Sequence, residues 1–282
     1  MKKLTDSFEL FGGVKIPCIG FGTWQAADGE IAESAVKAAL EAGYRHIDTA
    51  AIYRNEESVG RAIRESGIPR EEIFVTTKLW NKCRTYELAY SAFERSISKL
   101  GLDYVDLYLI HWPASPAEYD NFNEINLATW KAMTELYKAG KIKAIGVSNF
   151  LPHHLDALMQ TEIAPMVNQI EFHPGYMQAE TVKYCKENNI AVEAWSPLGS
   201  GRVLSDPRLI EIAKKYNKSV AQVCVRWCLQ NGTIPLPKSV TPARIVENAD
   251  VFDFEISAED MNVINGFETF GESGFHPDKP GS

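Results

Sequence analysis

The sequence has few cysteines and no long apolar segment. Its five cysteines, at positions 18, 83, 185, 224 and 228, are odd in number and form no Cys-x-x-Cys pair. Scattered cysteines of this kind are typical of reduced thiols, so we expect a cytoplasmic protein. No apolar run approaches the roughly 18 residues of a membrane span, and the opening MKKLTDSFEL lacks the apolar block of a signal peptide. We therefore expect neither a membrane partner nor secretion.

The chain also lacks an excess of basic residues. It carries 29 Lys and Arg residues against 37 Asp and Glu residues, which gives a net charge of −8. Proteins that bind nucleic acids are usually basic, so we expect no nucleic-acid partner. A few local cations could still hold a small anionic ligand. No low-complexity tract or Ser/Pro-rich linker divides the 282 residues, and we predict that residues 1–282 form a single domain.

Short β-rich runs alternate with amphipathic helical segments along the chain. The helical segments include residues 31–41, 86–100, 128–139 and 220–230, and in residues 86–100 the apolar side chains recur every three or four positions. The β-rich runs are residues 18–22, 44–48, 73–78, 105–111, 142–148, 166–171, 190–196 and 233–238. They are spaced by about thirty residues, the size of one βαβ unit. The alternation predicts an α/β fold, a (β/α)8 TIM barrel.

Two further features refine this prediction. Residues 7–17, with a Gly12-Gly13 turn, predict an N-terminal β-hairpin that caps the bottom of the barrel. A doubly wound sheet is the structural alternative, and it would normally carry G-x-G-x-x-G between a strand and a helix. Here Gly20-Phe-Gly22 is followed by Thr-Trp-Gln, so the third glycine is missing. The barrel is preferred, and it places the active site at the carboxyl ends of the strands.

Four chemically active side chains stand at or just after the predicted strand ends. Asp48, Lys78 and His111 each end a strand, and Tyr53 follows Asp48 by five residues. Each alone is more often structural, but their joint occurrence at adjacent strand ends indicates catalysis. An ammonium about 4 Å from a phenol, at an effective dielectric near 20, would favour the phenolate by up to roughly 4 kcal/mol, or about three pKa units.

This arithmetic suggests a division of roles within the cluster. We expect Lys78 to lower the pKa of Tyr53 toward the working pH of a general acid. Asp48 would keep the lysine charged and in place. His111 would donate a hydrogen bond to a carbonyl oxygen and orient it against Tyr53. Such a site suits delivery of a proton to an oxygen that is becoming an alkoxide.

Three other patterns are expected to be structural. The S-x-x-K match at residues 96–99 lies on an amphipathic helix and has no companion motifs. His153 and His154 could bind a metal, as could Cys224 and Cys228, but each pair supplies only two ligands. We therefore predict no metal site.

Three longer motifs resemble the signatures of the aldo-keto reductase family. The first is GYRHIDTAAIYRNEESVG at residues 43–60, and the second is KIKAIGVSNF at residues 141–150. The third is LPKS at residues 236–239, with an Arg, a Glu and an Asn following at positions 244, 247 and 248. The resemblance extends from the N-terminal hairpin to about residue 265. It implies a catalytic tetrad made of Asp48, Tyr53, Lys78 and His111, with Tyr53 as the acid in reduction.

The resemblance also implies NADPH as the cofactor, bound in extended form without a Rossmann domain. The residues implied to hold it are Gly22, Thr23 and Trp24 after the first barrel strand, Ser148, Asn149 and Gln169 at the nicotinamide amide, Trp195 stacked on the ring, Ser196 and Leu198 at the pyrophosphate, Lys238, Ser239 and Arg244 at the 2′-phosphate, and Glu247 and Asn248 near the adenine. Most members of the family stack a tyrosine where this chain has Trp195. The affinity for NADPH and the tolerance of NADH are therefore open.

The expected substrate is a small or apolar carbonyl compound. Trp24, Trp80 and Trp112 all follow strand ends and are expected to form the pocket walls. The tail, residues 266–282, is expected near the active-site face, where it would shape specificity. The sequence thus predicts a monomeric, cytoplasmic, NADPH-dependent reductase of aldehydes and ketones.

Two other functions stay open at this point. One is a barrel aldolase in which Lys78 forms a Schiff base with the substrate. The other is a non-catalytic subunit that only binds NADPH, because an intact fold can serve binding alone. The sequence does not specify which carbonyl compound is the physiological substrate.

Overall fold

The structure is a computed structural model that describes residues 1–279. An antiparallel hairpin comes first, formed by β1 (Ser7–Glu9) and β2 (Lys15–Pro17). Eight parallel strands follow: β3 (Phe21–Gly22), β4 (His46–Asp48), β5 (Phe74–Leu79), β6 (Val105–Ile110), β7 (Ile142–Ser148), β8 (Val167–Glu171), β9 (Ala191–Trp195) and β10 (Ile234–Pro235). No helix in this part of the chain is long and apolar enough to cross a membrane.

Helices connect the strands and surround them. They are α1 (Glu30–Glu41), α2 (Glu56–Glu65), α3 (Tyr86–Leu100), α4 (Phe122–Lys138), α5 (Pro152–Leu158), α6 (Ala179–Glu187), α7 (Pro207–Tyr216), α8 (Val220–Gln230), α9 (Pro242–Ala249) and α10 (Ala258–Asn265). Helix α3 begins and ends at the predicted residues. The Thr85 side chain accepts a hydrogen bond from the Leu88 amide at its start, and Gly101, at φ 62°, ends it in the left-handed region.

The parallel strands close into a barrel. Neighbours in space are neighbours in sequence, from β3 through to β10. The Gly20 amide donates to the Pro235 carbonyl (3.0 Å) and the Gly22 amide to the Pro237 carbonyl (3.1 Å), which joins the first strand to the last. The predicted (β/α)8 fold is confirmed, and the carboxyl ends of all eight strands meet at one face.

The N-terminal hairpin closes the opposite end of the barrel, as predicted. Leu10 and Ile16 from the hairpin pack against Phe74, Met166 and Ile234, which start three of the strands or directly precede them. These side chains are almost fully buried. The apolar plug at this end leaves the other face as the place where polar side chains can enter the barrel.

The structure differs from the predicted elements in three places. Strand β10 has two residues rather than six, because Pro235 and Pro237 lack the amide that a longer ladder needs. Helix α4 begins at Phe122, six residues before the predicted start; its buried Asn126 bonds to both the amide and the carbonyl of Ala114. Helices α7 and α10 are additional to the predicted alternation of one helix after each strand.

Candidate active site

A cavity of about 920 Å³ opens at the carboxyl ends of the strands. Every strand of the barrel contributes a wall residue, either its last residues or the residues directly after them. In strand order these are Gly22, Asp48, Trp80, His111, Ser148 with Asn149, Gln169, Trp195 with Ser196, and Leu236 with Lys238. The cavity therefore lies at the end of the barrel where the sequence predicts the site.

Lys78 and Asp48 form a buried ion pair at the base of this cavity. The Lys78 amine lies 2.7 Å from both carboxylate oxygens of Asp48 and 2.9 Å from the carbonyl oxygen of Thr49. Lys78 is fully buried on β5, beside Asp48 on the neighbouring β4. Burial disfavours the ammonium and is the largest single effect, but the charge and hydrogen bond of Asp48 act together with the neighbouring acidic groups Tyr53 and Glu193, and the pKa of Lys78 is raised. The amine is therefore a fixed cation.

Tyr53 is placed against this cation by a single helical turn. The turn, Ala51–Tyr53, directly follows β4 and brings the phenol oxygen to 3.5 Å from the Lys78 amine. Burial raises the pKa of Tyr53 above its usual 10.0, and the Lys78 charge opposes this only in part because Asp48 acts in the other direction. The expectation of a lowered pKa is therefore wrong for this structure. Tyr53 keeps its proton at neutral pH.

His111 lies next to Tyr53 on the cavity wall. Its ring meets the Tyr53 ring edge to face, with the centroids 5.7 Å apart, and meets Trp80 in the same way at 5.6 Å. Burial, followed by the charge of Lys78, lowers the pKa of His111 well below 6.5. The imidazole is therefore neutral and has one N–H group to donate.

The side chains of Ser148, Asn149 and Trp195, at or just after the ends of β7 and β9, form a hydrogen-bonded group. Ser148 donates to the carbonyl of Gln169 (2.8 Å), and Asn149 donates to Ser148 Oγ and to the carbonyl of His111 (both 3.0 Å). The indole N–H of Trp195 donates to Asn149 Oδ1 at 2.8 Å. Asn149 adopts φ 64°, a conformation that asparagine tolerates better than most residues. The network holds the Trp195 ring on the cavity wall.

The far end of the cavity carries two cations that no carboxylate neutralises within residues 1–279. The Lys238 amine donates only to the Gln25 carbonyl (3.2 Å), and no ion pair joins Arg244 to any described residue. Partial burial lowers the pKa of Lys238. Both cations border the start of α9, where the helix dipole favours an anion, with Ser239 beside them. This donor set fits a phosphate group.

All four residues of the expected tetrad come together, and every expected cofactor residue except Thr23 lines the cavity. Thr23 is fully buried, and its hydroxyl donates to the backbone carbonyl of Asp48 (2.9 Å). Its side chain therefore supports Asp48 from behind the cavity wall. The expected pocket tryptophans, Trp24, Trp80 and Trp112, also line the cavity.

The sequence did not indicate several other wall residues. These are Gln25, Ile52 and the start of α8 at Ser219, Val220 and Ala221. Phe275 belongs to the tail, also lines the cavity and meets Trp112 edge to face at 6.2 Å. The sequence predicted that the tail lies near this face but did not single out Phe275 as the residue that reaches the cavity wall.

The tail is held on this face by a buried carboxylate. Glu171, at the end of β8, accepts hydrogen bonds from the Ser273 amide (2.9 Å) and hydroxyl (2.7 Å), and from Arg202 (3.3 Å). Arg202 also donates to the carbonyl of Gly271 (2.6 Å). The tail was expected on this face, and its residues 266–279 include Phe275 on the cavity wall; residues 280–282 of the predicted tail lie outside the described residues.

The histidine pair gains a third possible metal ligand from the tail. Asp278 lies 3.2 Å from His153 Nε2 and 3.0 Å from His154 Nε2. However, His154 Nδ1 accepts a hydrogen bond from the Leu151 amide (3.1 Å) at the start of α5, so the proton of the neutral ring must be on Nε2. A protonated Nε2 donates to a carboxylate and cannot bind a metal. We therefore interpret His153, His154 and Asp278 as a polar contact between α5 and the tail.

The remaining sequence patterns lie away from the cavity. Burial raises the pKa values of Cys224 and Cys228 on α8, which makes both thiols poor ligands and poor nucleophiles. Ser96 is buried on α3, where the amphipathic helix packs against the barrel. These positions are structural.

The fold and the cavity together define an enzyme of the (β/α)8 class, with a buried amine–carboxylate pair beside a phenol and an imidazole. Residues 18–268 match the model of the Aldo/keto reductase family. The chain belongs to this family and is an oxidoreductase.

Individual relatives cover the whole chain. A glyoxal reductase of Bacillus subtilis (strain 168) is 51% identical over 277 residues, which cover 98% of each sequence. The crystal structure of MGS-M4, an aldo-keto reductase from a Medee basin deep-sea metagenome library, has a TM-score of 0.91 and 49% identity and covers 97% of this chain and 99% of that one. A Bombyx mori aldo-keto reductase crystallised in complex with NADP has a TM-score of 0.86 and 40% identity, covering 94% and 93%.

Proposed function

We propose that this protein reduces aldehydes and ketones to alcohols with NADPH, and that Tyr53 supplies the proton. The observation that carries the proposal is the Lys78 amine, which lies between the Asp48 carboxylate at 2.7 Å and the Tyr53 hydroxyl at 3.5 Å. A phenol beside a fixed cation is suited to give up a proton and to exist briefly as a phenolate.

The cavity carries the groups that NADPH requires. Lys238, Ser239 and Arg244 would hold the 2′-phosphate. Ser148, Asn149 and Gln169 would hold the carboxamide of the nicotinamide, and Trp195 would stack on its ring. When bound, NADPH supplies the hydride. The unneutralised cations at the far end explain how a chain of net charge −8 can bind a polyanion.

The four residues at the cavity base divide the proton chemistry. Tyr53 holds its proton at neutral pH and donates it from the phenol oxygen to the substrate oxygen. The resulting phenolate is stabilised by the Lys78 ammonium, while Asp48 keeps that ammonium charged and fixed. Neutral His111 donates a hydrogen bond to the same substrate oxygen and orients the carbonyl group. In alcohol oxidation Tyr53 is the base.

The pocket walls favour a small carbonyl compound with little charge. Trp24, Trp80, Trp112 and Phe275 line this part of the cavity, and aromatic walls exclude water from the reacting atoms. The similarity to a glyoxal reductase adds glyoxal, a two-carbon dicarbonyl aldehyde, to the candidates. A panel of aldehydes and ketones, with loss of NADPH absorbance as the readout, tests the proposal.

Borohydride trapping and NADPH binding, measured beside this assay, separate the alternatives. If Lys78 forms a Schiff base, borohydride will trap substrate on the protein, and NADPH will not be consumed in proportion to product. If the chain only binds NADPH, binding will occur without turnover on any carbonyl compound. We expect NADPH-dependent turnover without trapping, because the Lys78 amine is bonded to Asp48 and is held as an ammonium.

The 2′-phosphate assignment makes a prediction about cofactor choice. Lys238→Ala or Arg244→Ala should weaken NADPH binding about 10- to 100-fold, the equivalent of one lost charge-assisted hydrogen bond. NADH binding should change little, because NADH has no 2′-phosphate. Cofactor titrations of each variant measure both. Lys214→Ala on α7 is the matched control, since that lysine pairs with Glu211 outside the cavity; equal losses for the two cofactors would refute the assignment.

The tail makes a prediction about substrate choice. Phe275→Ala should raise KM for an aromatic aldehyde about ten-fold, because the variant removes an apolar wall and its contact with Trp112. NADPH affinity should not change. Phe11→Ala replaces an exposed aromatic residue in the hairpin at the other end of the barrel and is the control. An unchanged KM in the Phe275 variant would place the substrate elsewhere.

We also propose that residues 1–282 form one domain and that the protein is a cytoplasmic monomer without a nucleic-acid partner. The absence of any disulfide among five free cysteines and the net charge of −8 support this. Light scattering on the purified protein at micromolar concentration measures the mass in solution. A mass twice the 31.5 kDa of the chain would overturn the monomer.

A further inference from the structure

A buried carboxyl group outside the proposed tetrad is linked to it by one side chain. Glu193 lies on β9, opposite Gln169 on β8, and is fully buried. The amide nitrogen of Gln169 donates to Glu193 Oε2 at 2.8 Å and to Asp48 Oδ2 at 3.0 Å. One amide nitrogen therefore bridges two acids in the interior of the barrel.

The burial of Glu193 and the charges around it favour its neutral form. Asp48 and His46 face it from β4, Lys78 from β5 and Gln169 from β8, while its partner on β10 is Ile234. Lys78 is the only cation in this group, because burial lowers the pKa of His46 to about 3, and it is bonded to Asp48. A second carboxylate here would be buried without compensation. Burial and the Asp48 charge accordingly raise the pKa of Glu193 to about 8.

Asp48 and Glu193 together determine which way the Gln169 amide points. Its nitrogen donates to the Asp48 carboxylate and to one oxygen of the neutral Glu193 acid, and a flipped amide would place its own oxygen against the Asp48 carboxylate, a group that only accepts. The side-chain oxygen of Gln169, Oε1, is then left as an acceptor to which no group in residues 1–279 donates, on a side chain that lines the cavity. A group that can donate a hydrogen bond to that oxygen is the N–H₂ group of a carboxamide.

We propose that Glu193 is a positioning residue of the cofactor site, which holds the Gln169 amide so that its oxygen is presented to the carboxamide of the nicotinamide ring. The assignment rests on the proposed function. Glu193 itself touches neither cofactor nor substrate, and it acts through Gln169 and, by the shared amide nitrogen, on Asp48.

Two variants of nearly equal size separate positioning from packing. Glu193→Met fills the space but offers no acceptor, so one buried N–H of Gln169 loses its partner. NADPH binding, followed by quenching of tryptophan fluorescence, should weaken about ten-fold. Glu193→Gln retains an acceptor oxygen and should bind NADPH as the parent does. If the methionine variant does not fold, Glu193→Asp, whose acid is one methylene shorter, should show the same weakening.

A second readout concerns the proton on Glu193. The pKa of Glu193 is about 8 in the folded protein, against an ordinary value of 4.5. Between these pH values the unfolded chain releases the proton while the folded chain keeps it, so the folded state becomes less stable as the pH rises. The unfolding temperature of Glu193→Gln, relative to that of the parent, should therefore increase as the pH rises through this interval.

Three results would overturn the proposal. The first is that Glu193→Met binds NADPH as tightly as the parent does. The second is that Glu193→Gln weakens NADPH binding as much as Glu193→Met. The third is that the difference in stability between Glu193→Gln and the parent does not depend on pH. Failure of the proposed function would look different, since the parent protein itself would then not oxidise NADPH with any carbonyl compound.

Discussion

Tyr53→Phe is expected to lower kcat for aldehyde reduction by about 10² to 10⁴, the usual contribution of a positioned general acid. The variant removes one oxygen atom, and with it the proton donor, while the ring that contacts His111 stays in place. NADPH affinity should not change, because no expected cofactor contact involves the phenol. Single-turnover rates with saturating NADPH measure the chemical step directly.

The His111→Gln variant is a useful companion to this experiment. It keeps a hydrogen-bond donor but alters the orientation of the carbonyl group, so a smaller loss is expected than for Tyr53→Phe. If Tyr53→Phe binds NADPH and reduces an aromatic aldehyde at the parent rate, Tyr53 is not the acid. A solvent proton or another side chain would then have to be assigned.

Lys78→Met is expected to cost both activity and stability. The variant leaves the Asp48 carboxylate buried without its cation, and breaking a buried ion pair in this way costs about 3–5 kcal/mol. It also removes the charge that stabilises the phenolate, so turnover should fall at least as far as in Tyr53→Phe. Urea denaturation gives the free energy of unfolding, and NADPH consumption gives the turnover.

A double variant shows whether the loss of stability comes from the unpaired charge. Lys78→Met combined with Asp48→Asn has no buried charge at this point, and it should recover much of the stability while remaining inactive. If the single variant is as stable as the parent, Asp48 and Lys78 do not form the ion pair seen at 2.7 Å. The two measurements thus separate folding from catalysis.

Periodicity in the sequence was sufficient for the architecture. Helix α3 follows the predicted residues because its caps, Thr85 and Gly101, are local signals. Strand β10 is shorter than predicted because the run is apolar but Pro235 and Pro237 lack the amides that would continue its ladder. Helices α7 and α10 exceed one helix per strand, so the βα alternation does not predict them.

The chemistry of the site was predictable only as a set of residues. Asp48, Lys78 and His111 could be placed at one face because parallel strands in a barrel end together. The pKa of Tyr53 could not be predicted, since it depends on burial and on the second charge of Asp48 as much as on Lys78. The inward position of the Thr23 side chain likewise depends on a contact 25 residues away.

Local patterns alone were enough for the barrel, the placement of the polar cluster and the family, because each depends on residue order and spacing within one unit. The folded chain alone decided the protonation of Tyr53, the burial of Glu193 against the Gln169 amide and the position of Phe275 on the pocket wall. These depend on distances between atoms of different units and on the exclusion of water from between them. Neither the distances nor the exclusion of water can be predicted from any one segment of the sequence.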